Sequence, residues 1–191
     1  PYFKEYVILK RHGLKIAVIG CTNPNIGNWL SPELWSGMEF KNLLPYAQEV
    51  VDRVREQEKP DVVVLAAHTG SGEGNGKYLE NQGLDLYQSL RGVDMVVSAH
   101  DHRPRVEQND SIVFINSGSH CRNLGHGTIT LTVEDGKVVS KSLGSDLIEV
   151  NETKVDMEMQ KAFRADFEAV RAFTKQEVGQ LTVDLRTRDA Y

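Results

Sequence analysis

Apolar residues recur along this chain in two rhythms, and the rhythm switches several times. The opening stretch EYVILKRHGLKIAVIGCTN holds two apolar runs separated by His12-Gly13. YVILK is rich in β-branched and aromatic residues, and KIAVIG is almost continuously apolar up to its glycine. The second is the pattern of a strand covered on both faces. TNPNIGNWLSPELWSG is crowded with Asn, Pro, Gly and Ser, which predicts a loop. Over NLLPYAQEVVDRVREQ the period lengthens. Leu43, Leu44, Ala47, Val50, Val51 and Val54 fall on one face of an amphipathic helix. PDVVVLAAH then returns to the buried-strand pattern, opened by a proline and closed by His68.

A glycine-rich loop follows, Thr69 to Gly83, then a short helical segment LDLYQSLRG and a third buried strand, VDMVVSAH. SIVFINSG and GTITLTVEDGKVVSKSLG read as strands with period-2 alternation, the latter folded at Glu134-Asp135-Gly136 into a hairpin. MQKAFRADFEAVRAFTKQEV predicts one long helix with Phe163, Phe167, Val170 and Phe173 along one side, and GQLTVDL a final strand. Strands alternating with helices and then succeeded by antiparallel strands define an α/β sheet with some parallel pairing and a β-rich layer after it.

Composition narrows the function classes. A chain of 191 residues with net charge -5, 40% hydrophobic and 26% charged residues, is an ordinary globular mixture. Mild acidity argues against nucleic-acid binding, which wants a basic face. No run approaches the ~18 apolar residues of a membrane span. Cys21 and Cys121 are read equally well as a disulfide or as two unpaired thiols. The chain opens at Pro1 without an initiator methionine and closes within a strand-like segment, so the expectation is a piece of a longer protein.

The chemistry lies at the strand ends. VVVLAAH and MVVSAH both finish in histidine, His68 and His100, and His102 follows two residues later. Ligands of open α/β sheets sit outside the carboxyl ends of the strands. If the backbone stays extended past His100, His100 and His102 point to the same side. Three imidazoles, frequent ligands of zinc, iron and manganese, then converge. A lone strand-end histidine is more often structural; an H-x-H beside a third histidine shifts the balance toward metal. Asp101, between the two, turns away and fixes the local turn or a ligand. His12, His120 and His126 carry no spacing that requires a metal. The glycine-rich loop lacks the G-x-x-x-x-G-K-[ST] order of a phosphate loop.

The ordered set GLKIAVIGCTNP, GMEFKNLLPYAQEVVDRVRE, PDVVVLAAHTG, GVDMVVSAHDH and INSGSHCRNLGHGTITL resembles the 5'-nucleotidase and 2',3'-cyclic-nucleotide phosphodiesterase family, a branch of the calcineurin-like metallophosphoesterases. The resemblance runs from about Val7 onward and implies the later part of the family's catalytic domain. The implied fold is part of a four-layer α-β-β-α sandwich with mixed sheets, lacking its N-terminal strands. Residues 1–150 then belong to the catalytic domain, 151–178 to a linker helix, and 179–191 to the start of a truncated C-terminal domain. The family's histidine ligands carry over onto His68 and His100 for one metal and His102 for the other. Ala99 departs from the family's usual glycine, a tolerable change unless that position needs positive φ.

The resemblance implies hydrolysis of phosphate esters, nucleotides above all, with two divalent ions (Zn, Mn or Fe). A periplasmic or secreted setting goes with it. The family's Asp-x-His, Gly-Asp and Gly-Asn-His-Asp/Glu motifs, which supply the other ligands and the catalytic residue, do not occur here. Half a dinuclear site is therefore expected, inactive or nearly so alone, with no catalytic residue on this chain. Two other readings stand beside it. One is a non-catalytic domain whose histidines are structural or bind a single metal. The other is a related thiosulfohydrolase or sugar-nucleotide hydrolase using the same histidines.

Overall fold

A computed structural model describes residues 3–74, 79–151, 155–180 and 182 of the chain. It divides into two compact units at Val150 and Asn151. In the first unit, β1 (Tyr6–Arg11) and β2 (Leu14–Cys21) form a hairpin turned at His12-Gly13, both with positive φ. The expected loop after β2 contains two short helical turns, α1 (Ile26–Trp29) and a 3-10 turn at Pro32–Leu34. Helix α2 (Leu43–Glu58) leads to β3 (Val62–His68), and α3 (Gly83–Ser89) to β4 (Met95–Ala99). Then come β5 (Pro104–Gln108), β6 (Val113–Ser117), β7 (Asn123–Glu134) and β8 (Lys137–Glu149).

Six of these strands form one sheet in the order β1-β2-β3-β4-β6-β5. The four central strands are mutually parallel and the two edge strands antiparallel. β6 is thus a parallel strand, with Val113 to Asn116 all buried, rather than the half-exposed alternating strand expected of SIVFINSG. Its apolar run is covered on both faces, so period-2 exposure has no solvent side to report. β5 was not legible as a strand, because PRVEQ carries a proline and two charges; an edge strand tolerates both.

One face of the sheet packs on the helices. Leu43, Ala47, Val50, Val51 and Val54 of α2 are buried against Ala17, Ile19, Val63, Leu65 and Val96. Each Val, Leu or Ile among them contributes roughly 1.5–3 kcal/mol of transfer energy before chain entropy is subtracted. Lys59 closes α2 in the left-handed conformation, and Pro60 cannot continue it. On the opposite face the β7–β8 hairpin covers β5 and β6, where Ile129 and Leu143 pack on Met95, Val113 and Ile115. The hairpin turn falls on Asp135 and Gly136, both with positive φ, as a two-residue connection demands. Gly127 lets β7 approach closely: a Cβ there would lie 2.5 Å from Met95 Cε and 2.7 Å from Ile115 Cδ1.

Beneath the sheet, Asp94 is the main polar anchor. It is 7% exposed and accepts from Arg55 Nη2 (3.0 Å), Lys141 Nζ (2.7 Å) and the Val63 amide (2.7 Å).

The second unit holds α4 (Met157–Ala162) and α5 (Arg164–Thr174) in place of the single helix expected. The helix is interrupted at Phe163, whose φ of -97° and ψ of 4° leave the helical region although its amide still donates to the Met159 carbonyl. Asp156 caps α4 by accepting from the Glu158 and Met159 amides. The strand expected over GQLTVDL falls largely outside the described residues. No helix among the described residues is long and apolar enough to cross a membrane.

Candidate metal centre

The carboxyl ends of β2, β3 and β4 lie side by side because the three strands are parallel and in register. His68 pairs with Ala99, which puts His100 one residue past the end of β4. The chain then departs from the extended course supposed from sequence. His100 has φ of 143° and His102 of 59°, so the H-x-H segment is a strained turn rather than a strand. Histidine tolerates the left-handed region better than most side chains, and such strain gathers at functional sites. Ala99 itself ends β4 with ordinary φ, so the methyl group in place of the family's glycine meets no conflict.

This turn brings two of the three candidate histidines together. His100 Nδ1 lies 3.2 Å from His68 Nε2, with the rings edge-on at a centroid distance of 5.0 Å. Burial, and then the neighbouring His100 ring, hold the His68 imidazole below its usual pKa, which favours the neutral form that a metal ligand requires. His102 is turned elsewhere and sits against His120, ring centroids 6.0 Å apart. His120 is steadied by Ser119 Oγ at 2.8 Å from its Nδ1, while His126 lies in β7, with its Nδ1 3.7 Å from Asp146.

Asp101 is the clamp of the turn. Its Oδ2 accepts from the Ser71 amide (2.8 Å) and hydroxyl (2.6 Å), and its Oδ1 from Asn116 Nδ2 (3.0 Å) and the Arg103 amide (3.4 Å). Burial pushes this carboxyl up, yet the donors from Ser71, Arg103 and Asn116 together hold it below its ordinary range. Gly70 packs closely beside it: a Cβ there would stand 1.8 Å from Asn81 Oδ1 and 3.1 Å from Asp101 Cβ, so Asn81 would have to move.

Three residues that sequence reasoning did not single out surround the histidine pair. Trp29 stacks on His100 at 4.9 Å with 24° between the rings. Glu80 places Oε2 3.8 Å from His100 Nε2. Asn25 and Trp29 both donate to Glu80 Oε1. Nothing local marks them, because their partners lie 20 or more residues away in the chain.

The donor set bears on the ions implied by the resemblance. Two imidazole nitrogens bound to one zinc at ~2.0–2.1 Å in tetrahedral geometry stand roughly 3.3 Å apart. The His68–His100 spacing matches that, so the pair fits two positions on a single ion. Among the described residues no three His, Cys, Asp or Glu side chains gather to hold an ion. Glu80 faces the far nitrogen of His100 and does not join the pair. Cys21 and Cys121 are both free thiols.

This architecture is that of the calcineurin-like phosphoesterases. The calcineurin-like phosphoesterase YfkN of Bacillus subtilis shares it with a TM-score of 0.69 at 20% identity, over 92% of this chain and 60% of that one. No family model matches the chain. Curated relatives carry the relationship further. The 5'-nucleotidase of Vibrio cholerae is 27% identical over 188 residues, 92% of this chain and 34% of that protein. The 2',3'-cyclic-nucleotide 2'-phosphodiesterase/3'-nucleotidase of Haemophilus influenzae is 27% identical over 213 residues, 95% of this chain and 32% of its own length. The chain is similar to 5'-nucleotidases and 2',3'-cyclic-nucleotide phosphodiesterases, and spans about a third of the length of these relatives.

Proposed function

We propose that the protein hydrolyses phosphate esters, nucleotides in particular, in a metal-dependent reaction to which this chain contributes part of the metal shell. The observation that carries the reading is the meeting of His68 Nε2 and His100 Nδ1 at 3.2 Å, outside the carboxyl ends of adjacent parallel strands. In this reading His68 and His100 hold one divalent ion (Zn, Mn or Fe), and His102 holds a second. Such ions supply Lewis-acid polarisation of a phosphoryl oxygen. The chain's own residues do the positioning. β3 and β4 deliver two neutral imidazoles to one point, and Asp101 keeps the turn between His100 and His102 from relaxing. Two nitrogens are fewer than the four or more ligands these ions take, so the remaining ligands and the catalytic residue come from outside the set described. The 191 residues alone are then inactive or nearly so. The reading includes a periplasmic or secreted setting.

The test compares two proteins on a 5'-nucleotide, a 2',3'-cyclic nucleotide and an aryl phosphate, with manganese or zinc. A full-length protein containing this chain releases phosphate, and a chelator abolishes the release. The 191-residue chain shows little turnover. Equal turnover by the two would refute the divided site, and no phosphate release from the full-length protein would refute the function.

The ring-to-ring hydrogen bond also supports a second reading, a structural histidine pair in a non-catalytic domain. Metal content separates the two.

A further inference from the structure

We propose that Glu80 is a positioning residue that holds His100 as its Nε2–H tautomer, with Trp29 fixing the plane of the ring, so that Nδ1 keeps its lone pair toward His68. The inference deepens the reading of His68 and His100 as ligands and rests on it for its purpose. Its geometry stands independently.

Glu80 is tied down at both ends. Its backbone oxygen accepts from Gly70 N (2.7 Å), Thr69 Oγ1 (3.1 Å) and Asn23 Nδ2 (3.1 Å), which joins it to the segment just past β3 and to the loop after β2. Its Oε1 accepts from Asn25 Nδ2 (2.6 Å) and Trp29 Nε1 (2.8 Å). With Oε1 occupied, Oε2 is directed at His100, 3.8 Å from Nε2. That is ion-pair range and longer than a direct hydrogen bond, so the carboxylate acts on the ring through its charge.

A carboxylate is an acceptor only, and a neutral imidazole carries one N–H and one bare nitrogen. Negative charge beside Nε2 therefore favours the proton on Nε2 and leaves Nδ1 bare. Nδ1 is the atom that faces His68. Trp29 closes one face of the same ring, and its indole N–H is anchored on the same carboxylate that sets the tautomer. Metal-binding histidines commonly have the second nitrogen oriented in this way by a carboxylate. Here it comes from the loop between β3 and α3, and the aromatic cover comes from α1.

The test is nitrogen-15 NMR of the imidazoles in the full chain, with divalent ions removed by chelation, at a pH where the rings are neutral. In the wild type His100 is mainly the Nε2–H tautomer; a predominantly Nδ1–H ring overturns the proposal without any variant. Glu80→Gln keeps one oxygen for Trp29 and Asn25 and turns an amide N–H₂ toward His100. The expected result is inversion to the Nδ1–H tautomer, with unchanged Trp29 fluorescence showing that the loop is intact. An unaltered tautomer ratio in a folded Glu80→Gln protein leaves Glu80 a mere loop anchor. Because no metal is present, this outcome is separate from the ligand reading, which is judged by zinc titration of His68→Ala.

Discussion

His68 and His100 are separated by 32 residues in sequence, yet their Nε2 and Nδ1 atoms are 3.2 Å apart. That contact exists because β3 and β4 are parallel neighbours and Ala99 pairs with His68. If the pair holds an ion, His68→Ala and His100→Ala each lower the metal content of the full-length protein by about half or more in elemental analysis. A fall in thermal stability with metal content unchanged points instead to a structural pair.

Asp94 should behave as a structural anchor. It is buried and accepts from Arg55, Lys141 and the Val63 amide, so its loss leaves a buried backbone donor without its acceptor and removes the counter-charge of two part-exposed cations. Asp94→Ala is expected to cost about 3 kcal/mol in urea unfolding, in the range for breaking one side of a buried ion pair. A change under 1 kcal/mol would mean that solvent reaches the two cations.

Gly127 tests the packing of the hairpin on the sheet. A methyl group at this position meets Met95 and Ile115 at contact distances no core accommodates without movement. Gly127→Ala is predicted to lower stability by about 1–3 kcal/mol through overpacking. Gly136→Ala is the control: its Cβ meets nothing, and its cost comes from positive φ alone.

The two thiols should differ in reactivity. Burial, and then the negative charge of Glu5, push the Cys21 thiol up to about 11, while Cys121 is exposed. The thiolate is the nucleophile. Iodoacetamide at pH 8 should therefore label Cys121 and spare Cys21 in mass spectrometry. Because the folded thiol titrates above its unfolded value near 9, the stability that the neutral thiol preserves is present below pH 9 and lost as pH rises toward 11. Labelling of Cys21 grows over the same window. Rapid labelling of Cys21 at pH 8 would show that the β2 end opens readily.

What was legible in the sequence was whatever depends on neighbours along the chain. The apolar runs of β2, β3 and β4, the 3.6-residue rhythm of α2, and the Asp135-Gly136 turn are local signals, because burial of one face and the φ of a turn are set by adjacent residues. The two strand-end histidines were legible for the same reason. β5 was missed because an edge strand tolerates the proline and charges that usually argue against one. The break at Phe163 was missed because the apolar spacing of the flanking segments carries straight across it.

The sequence by itself determined most of the strands and helices, and that imidazoles stand at two strand ends. Tertiary structure alone decided how those imidazoles are used. Positive φ at His100 and His102 sends one ring to His68 and the other to His120. The fold places Trp29 of α1 over the face of one imidazole and Glu80, its hydrogen-bond partner, beside the Nε2 edge of the same ring. The physical reason is that hydrogen bonds and ring contacts between residues far apart in the chain leave no mark on the spacing of either partner. They arise only when parallel strands bring their ends to a common edge.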